Sequence, residues 1–185
     1  MKTDIQIGLN AAIVAVEALT PKILIVSSAE GDALPFGPFD PVSHRTLEIG
    51  LRSWVEAQTS LTLGYVEQLY TFGDRGRHAR AGDKGPHIMS VGYLALARPP
   101  ERAAGAAERT EVVWRDWYNY FPWEDWRKGR PALIDGVIGP RLEKWSALRP
   151  DDARPLRRPE RVQLAIGQDD APWDEERVLD RFELL

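Results

Sequence analysis

Cysteine is absent from this 185-residue chain, and histidine occurs only at His44, His78 and His87. Disulfides, thiolate nucleophiles and cysteine-ligated zinc are thereby excluded, and a histidine-rich metal centre lacks ligands. No run approaches the ~18 consecutive apolar residues that a membrane span requires. The opening Met1-Lys-Thr-Asp-Ile-Gln carries Asp4 and no apolar stretch, so no signal peptide is read there. A cytoplasmic protein with no membrane partner is expected. Excess positive charge is also missing. At a net charge of −4 the chain is not a broad electrostatic binder of nucleic acid. No serine stands in a Gly-x-Ser-x-Gly elbow, and no Gly-x-x-x-x-Gly-Lys-Ser/Thr phosphate loop occurs. Serine hydrolases and P-loop enzymes are therefore unsupported.

What is present is 43% hydrophobic and 28% charged, the composition of a globular domain with room for one sizeable core. Residues 5–16 are rich in Ile, Val and Ala, and Lys22 to Ser27 is a second apolar run. Thr20-Pro21 between them reads as the turn of a hairpin. Residues 41–59 read as a helix with Leu47, Leu51, Trp54 and Val55 on one face. Glu48, Arg52 and Glu56 form an i, i+4, i+8 stripe on another face, which reads first as a solvated ion-pair ladder. Tyr65–Phe72, Ile88–Ala97 and Glu111–Trp117 read as strands, and Pro131–Trp145 as a helix that Pro140 should kink or restart. Residues 149–160 hold three prolines and four arginines and read as a linker or extended arm. Val162–Ile166 is a short strand candidate, and Asp174 is placed to cap a final helix, Glu175–Leu185. This order of elements predicts an α+β or α/β sandwich around a mixed sheet.

Three segments carry possible chemistry. Gly73 to Pro86 sets Asp74, Arg75, Arg77, His78, Arg80 and Lys84 among four glycines. Guanidinium forks match phosphate oxygens, and glycines let backbone N–H groups approach an anion. The alternative is a basic surface loop. Trp114, Trp117, Tyr118, Tyr120, Phe121, Trp123 and Trp126 crowd into one stretch with Arg115 and Arg127. Such rings stack on a nucleobase, or they fill a core or a dimer interface. Arg154, Arg157, Arg158 and Arg161 lie around Pro155 and Pro159, as a plain linker or as an arm on DNA phosphates.

The helix at 45–61 also has the outline of a Nudix box stripped of its acids. That box reads Gly, five residues, Glu, seven residues, then Arg-Glu-apolar-x-Glu-Glu-x-Gly-apolar. With Leu61 on the last position, Arg45 takes the first Glu, Ser53-Trp54 the Arg-Glu pair and Ala57-Gln58 the Glu-Glu pair. A one-residue slip recovers Glu56 as one acid but puts Ser60 in an apolar slot. Leu34-Pro-Phe-Gly, Glu67-Gln-Leu-Tyr-Thr-Phe-Gly-Asp74 and Tyr120-Phe-Pro-Trp-Glu-Asp-Trp-Arg127 complete the likeness. Together these phrases, over about residues 5–148, resemble the Nudix family. They are particularly similar to the sensor domain of Nudix-related transcriptional regulators of NAD metabolism, of the alphaproteobacterial type.

The resemblance implies an α/β/α sandwich with helices flanking a mixed sheet, a ligand-sensing part over 1–148, and a linker, short strand and terminal helix over 149–185. It implies a nucleotide ligand of the ADP-ribose type, met by Phe36, Phe39, Asp74, Arg75, Arg77, Arg80, Trp123 and Arg127. It implies a homodimer, with DNA met only through a winged helix outside this chain. The terminal helix then either packs back on its own domain or awaits a partner. No catalytic residue and no metal or cofactor is expected. If the chain were an enzyme, Glu48 and Glu56 would be the residual catalytic acids and Mg²⁺ the ion, although one or two acids fall short of the oxygens Mg²⁺ demands.

Overall fold

The structure is a computed structural model that describes residues 5–29, 31–73, 86–98, 111–147 and 158–185. It divides into two compact units, Met1–Trp117 and Tyr118–Leu185, so residues 118–147 group with the chain that follows them.

The first unit is a mixed sheet. Strand β1 (Ile5–Glu17) alternates, burying Leu9, Ala11, Ile13 and Ala15 on one face. That period of two is the mark of a strand with one face on a core. It pairs antiparallel with β2 (Thr20–Ser28) and parallel with β6 (His87–Leu96). The short β3 (Gly31–Ala33) and β7 (Glu111–Asp116) join β2, while β4 (Phe36–Pro38) joins β1 and β5 (Val66–Phe72) joins β6 at the edge. Helix α1 (Leu47–Thr59) packs Leu51 and Val55 onto the β1–β6 face, against Leu9, Val91 and Tyr93. The expected α+β class and mixed sheet are thus present.

Several boundaries differ from the sequence expectation. The hairpin turns at Ala18-Leu19, both at positive φ (46° and 63°), and Thr20-Pro21 already belong to β2. Of the two-residue turns that suit twisted strands, type I′ has φ > 0 at both positions, and here the connection length prevails over the residues' own preference. Helix α1 starts at Leu47, six residues later than expected. Asp40 holds the preceding residues as a turn, accepting from the Val42 N–H and the Ser43 hydroxyl, and Thr46 then caps the helix.

The second unit is helical. A π-helical turn (Ile134–Ile138) runs into α2 (Gly139–Ser146), with Pro140 in the first turn of α2, so the helix restarts there. The bond from the Gly139 N–H to the Ile134 carbonyl, five residues back, is the local widening that accommodates a residue without an N–H. Residues 162–166 are not a strand. They belong to helix α3 (Arg158–Ile166), which buries Val162, Ala165 and Ile166 at i, i+3 and i+4. Five apolar-rich residues fit either period, and packing against Ile138 and Leu142 decides for the helix. Asp174 caps a 3₁₀ turn (Glu175–Arg177) that leads into α4 (Val178–Leu184). No helix among the described residues is long and apolar enough to cross a membrane.

Candidate functional site

Helix α1 is the element on which the Nudix-box chemistry would sit. Thr46 Oγ1 accepts from the Ile49 N–H at 3.1 Å, and the helix ends at Ser60 in the left-handed region, φ 57° and ψ 18°. The box carries glycine at that step, the residue for which a left-handed C-terminal turn is free of strain. The backbone therefore selects the register that puts Ser60 on the box glycine, and with it Trp54 and Gln58 on two of the acid positions.

Those two side chains, one turn apart, face strand β4. The Trp54 indole donates to the Pro38 carbonyl at 2.8 Å and lies over Gly37, where an added Cβ would come within 2.2 Å of the ring. Gln58 holds Phe36 twice. Its Nε2 donates to the Phe36 carbonyl at 2.6 Å, and its Oε1 accepts the Phe36 N–H at 3.2 Å. Short β4, with only three residues in its ladder to β1, is thus fastened from the helix side as well.

The residual acids lie on another face of α1. Glu48 pairs with Arg52 at 2.8 Å, and Arg52 also donates to the carbonyls of Leu63 and Gly64 (3.0 Å to the latter). Part of the expected ladder is therefore a brace for the chain leaving the helix. Glu56 is exposed. Among the described residues no group of three or more His, Cys, Asp or Glu could hold a metal ion. The side chains at the box positions are an arginine, an indole, a methyl and an amide, of which only the amide oxygen could ligate a divalent cation, and that set does not fit one.

The sheet face turned away from α1 has a regular make-up. Phe36, Asn10, Gly92 and Tyr70 fall in one cross-strand row over β4, β1, β6 and β5, and Pro38, Gly8, Ser90 and Phe72 fall in the next. Small residues thus occupy the middle, with ring residues on both flanks about 14 Å apart, three strand spacings. Asn10 Nδ2 donates to Ser90 Oγ on this floor. Phe36 and Tyr70 are 47% and 64% exposed, and Tyr70 meets Phe72 edge-on at 4.9 Å. Asn10, Tyr70 and Phe72 were not singled out from the sequence, because only the register aligns them with Phe36.

Of the other expected ligand residues, Phe39 is half-buried against the sheet core, with its ring 6.0 Å from that of His44. Asp74, Arg75, Arg77 and Arg80 lie outside the described residues. Trp123 and Arg127 belong to the second unit. Trp123 packs on its helical core, with its indole nitrogen buried and lacking a hydrogen-bond partner. Arg127 forks onto Asp125 at 2.7 Å and lies 4.6 Å over the Tyr118 ring, so the Asp125 carboxyl is held below its usual range, chiefly by the Arg127 hydrogen bond.

The same unit contains a feature with no sequence signal of its own. Arg181, 1% exposed, binds Glu124 through two bonds at 2.6 and 3.0 Å. It also donates to the carbonyls of Ala165 and Asp174 and stacks 3.9 Å from the Trp173 centroid. Helix α4 accordingly buries its arginine and packs Leu184 on its own unit, while Leu179 and Phe182 stay exposed, so each of the two alternatives for the terminal helix holds for part of its surface.

No protein-family model matches the chain, and no curated protein matches it. Solved structures do. The Nudix domain of Shewanella oneidensis NrtR, complexed with ADP ribose, aligns over 78% of this chain and 90% of that one, with TM-score 0.55 and 19% identity. NrtR of the same organism complexed with a 27mer DNA aligns over 96% and 82%, with TM-score 0.52 and 19% identity. A MutT/nudix family protein from Enterococcus faecalis aligns over 63% and 45%, again at 0.52 and 19%. At such identities the fold is what is shared: this chain has a Nudix-like fold.

Proposed function

We propose that this chain is a non-hydrolytic Nudix-like sensor that binds ADP-ribose or a related NAD metabolite, as part of a transcriptional regulator of NAD metabolism. The observation that carries the reading is the occupancy of helix α1. Where the box would place metal-binding acids, Trp54 and Gln58 are bonded to strand β4. A phosphoanhydride held without a divalent ion lacks the charge neutralisation that its hydrolysis needs. Binding does not have that requirement. The aromatic rim at Phe36 and Tyr70 offers stacking for a base, and the arginines at 75, 77 and 80 offer forks for a pyrophosphate.

The ligand class is argued from the shared fold with an ADP-ribose-bound domain, and the regulatory role from the likeness to a protein crystallised with DNA. On this reading the chain works as a homodimer, since a palindromic operator calls for two-fold symmetry. The sensing part is taken as residues 1–148, with 149–185 as an arm. A Nudix-type pyrophosphatase relying on Glu48 and Glu56 is the competing reading, and the engagement of Glu48 with Arg52 counts against it. The deciding experiment offers ADP-ribose with and without Mg²⁺ and follows both binding and ligand integrity.

A further inference from the structure

We propose that the α1 face on which a Nudix box presents its carboxylates has become a clamp in this chain. Trp54 and Gln58 are positioning residues that fix β4 and hold the Phe36 ring at the rim of the sheet face. The proposal rests on the sensor reading only in taking Phe36 as a ligand contact.

Four observations converge on it. Strand β4 has three residues, follows Pro35 and ends on Pro38, so its own ladder is minimal. Gln58 satisfies both backbone groups of Phe36 with the donor and the acceptor of one amide, a pairing that neither glutamate nor alanine can reproduce. Trp54 can sit over the strand because position 37 is glycine, and it adds a bond to the Pro38 carbonyl. Phe36 nevertheless remains 47% exposed, so the clamp fixes the backbone of a residue that is open to contact. A ring held in place loses little freedom when a planar partner stacks on it, and that is how preorganisation raises affinity. A glutamate at position 58 would face the Phe36 carbonyl without a proton to donate. Restoring the box acid would therefore dismantle the clamp.

Amide exchange of the ligand-free chain and calorimetric titration with ADP-ribose test this together. In Gln58→Ala the Phe36 amide should exchange about tenfold faster, the equilibrium weight of one hydrogen bond. Trp54→Phe keeps a ring over Gly37 and loses the bond to Pro38, and it should loosen β4 less. Ser53→Ala, an exposed neighbour on the same helix, should leave both readouts unchanged. Gln58→Ala should also weaken ADP-ribose binding, but not when Phe36 is already alanine. That non-additivity separates action through Phe36 from general loosening. Unchanged Phe36 exchange in Gln58→Ala, or additive losses of affinity in the double variant, would overturn the clamp. If the wild-type chain binds no ADP-ribose, the sensor reading falls and the exchange result alone decides the clamp.

Discussion

The sheet unit and the helical unit bury their polar groups in opposite ways. Among the described residues of Met1–Trp117 the core is apolar, and its buried polar residues are small and bonded: Thr59 to the Val55 carbonyl at 2.7 Å and Ser90 to Asn10, with the Trp114 indole nitrogen as one buried group lacking a partner. In Tyr118–Leu185 a guanidinium sits at the centre, with a carboxylate, two carbonyls and a tryptophan around it, and two indole nitrogens stay unpaired nearby. An apolar core loses stability roughly in proportion to the volume removed. A buried charge network fails once one member is lost, because the remaining charge has no water to turn to. The sheet unit should therefore tolerate substitution gradually, and the helical unit should not.

The largest test of that contrast is Arg181→Ala. It leaves the Glu124 carboxylate, itself only 13% exposed, without its partner. A loss of about 3–5 kcal/mol is expected, read as a shifted denaturant midpoint of the helical unit. Exchanging the pair together, Arg181→Met with Glu124→Leu, should recover much of it. A cost under about 1 kcal/mol, the range of surface pairs, would remove the contrast.

Gly37→Ala probes the sheet unit by overpacking. The new Cβ meets the Trp54 ring, and a cost of about 1–3 kcal/mol is expected as the indole shifts. The same change should speed exchange of the β4 amides while leaving the helical unit's transition in place. Loss of both transitions at once would show the two units to be one cooperative body.

The smallest effect is acid sensitivity. Asp125 and Asp135 are held below the usual carboxylate range, by hydrogen bonds first from Arg127 and Arg130 respectively, and Asp40 by its bond from Ser43. Folded values that are depressed mean stability present above the unfolded carboxylate value of about 3.9 and lost as pH falls through the folded values. Melting temperature should thus decline only below about pH 4. In Asp135→Asn that decline should be shallower, which a melting series across acid pH checks.

How much of this the sequence disclosed follows from the range of the forces involved. The alternation of Leu9, Ala11, Ile13 and Ala15 is local, and it announces β1 at once. The Glu48–Arg52 pair is equally local. The box register was also legible, and the left-handed Ser60 then fixed it. Strand β4 was not read as a strand, because Phe36-Gly37-Pro38 has no alternation and owes its pairing to Gln58, Trp54 and β1 from afar. Arg181 was illegible for a stronger reason. Nothing beside it in the final helix marks an arginine for burial, and the carboxylate that receives it lies 57 residues upstream. Residues 162–166 went to the wrong element because five residues cannot distinguish two periods. The arginines at 75, 77 and 80 fall outside the described residues, and their part in the site stays a proposal.

The central claim is that this Nudix-like fold keeps a nucleotide site and has exchanged the metal chemistry for a clamp. Calorimetric titration of ADP-ribose into the chain, once with chelator and once with Mg²⁺, and with the ligand recovered afterwards, tests it most directly. The account predicts one saturable isotherm, the same in both conditions, and ADP-ribose returned intact. Binding that appears only with Mg²⁺, with cleavage of the pyrophosphate that Glu56→Gln abolishes, would contradict it.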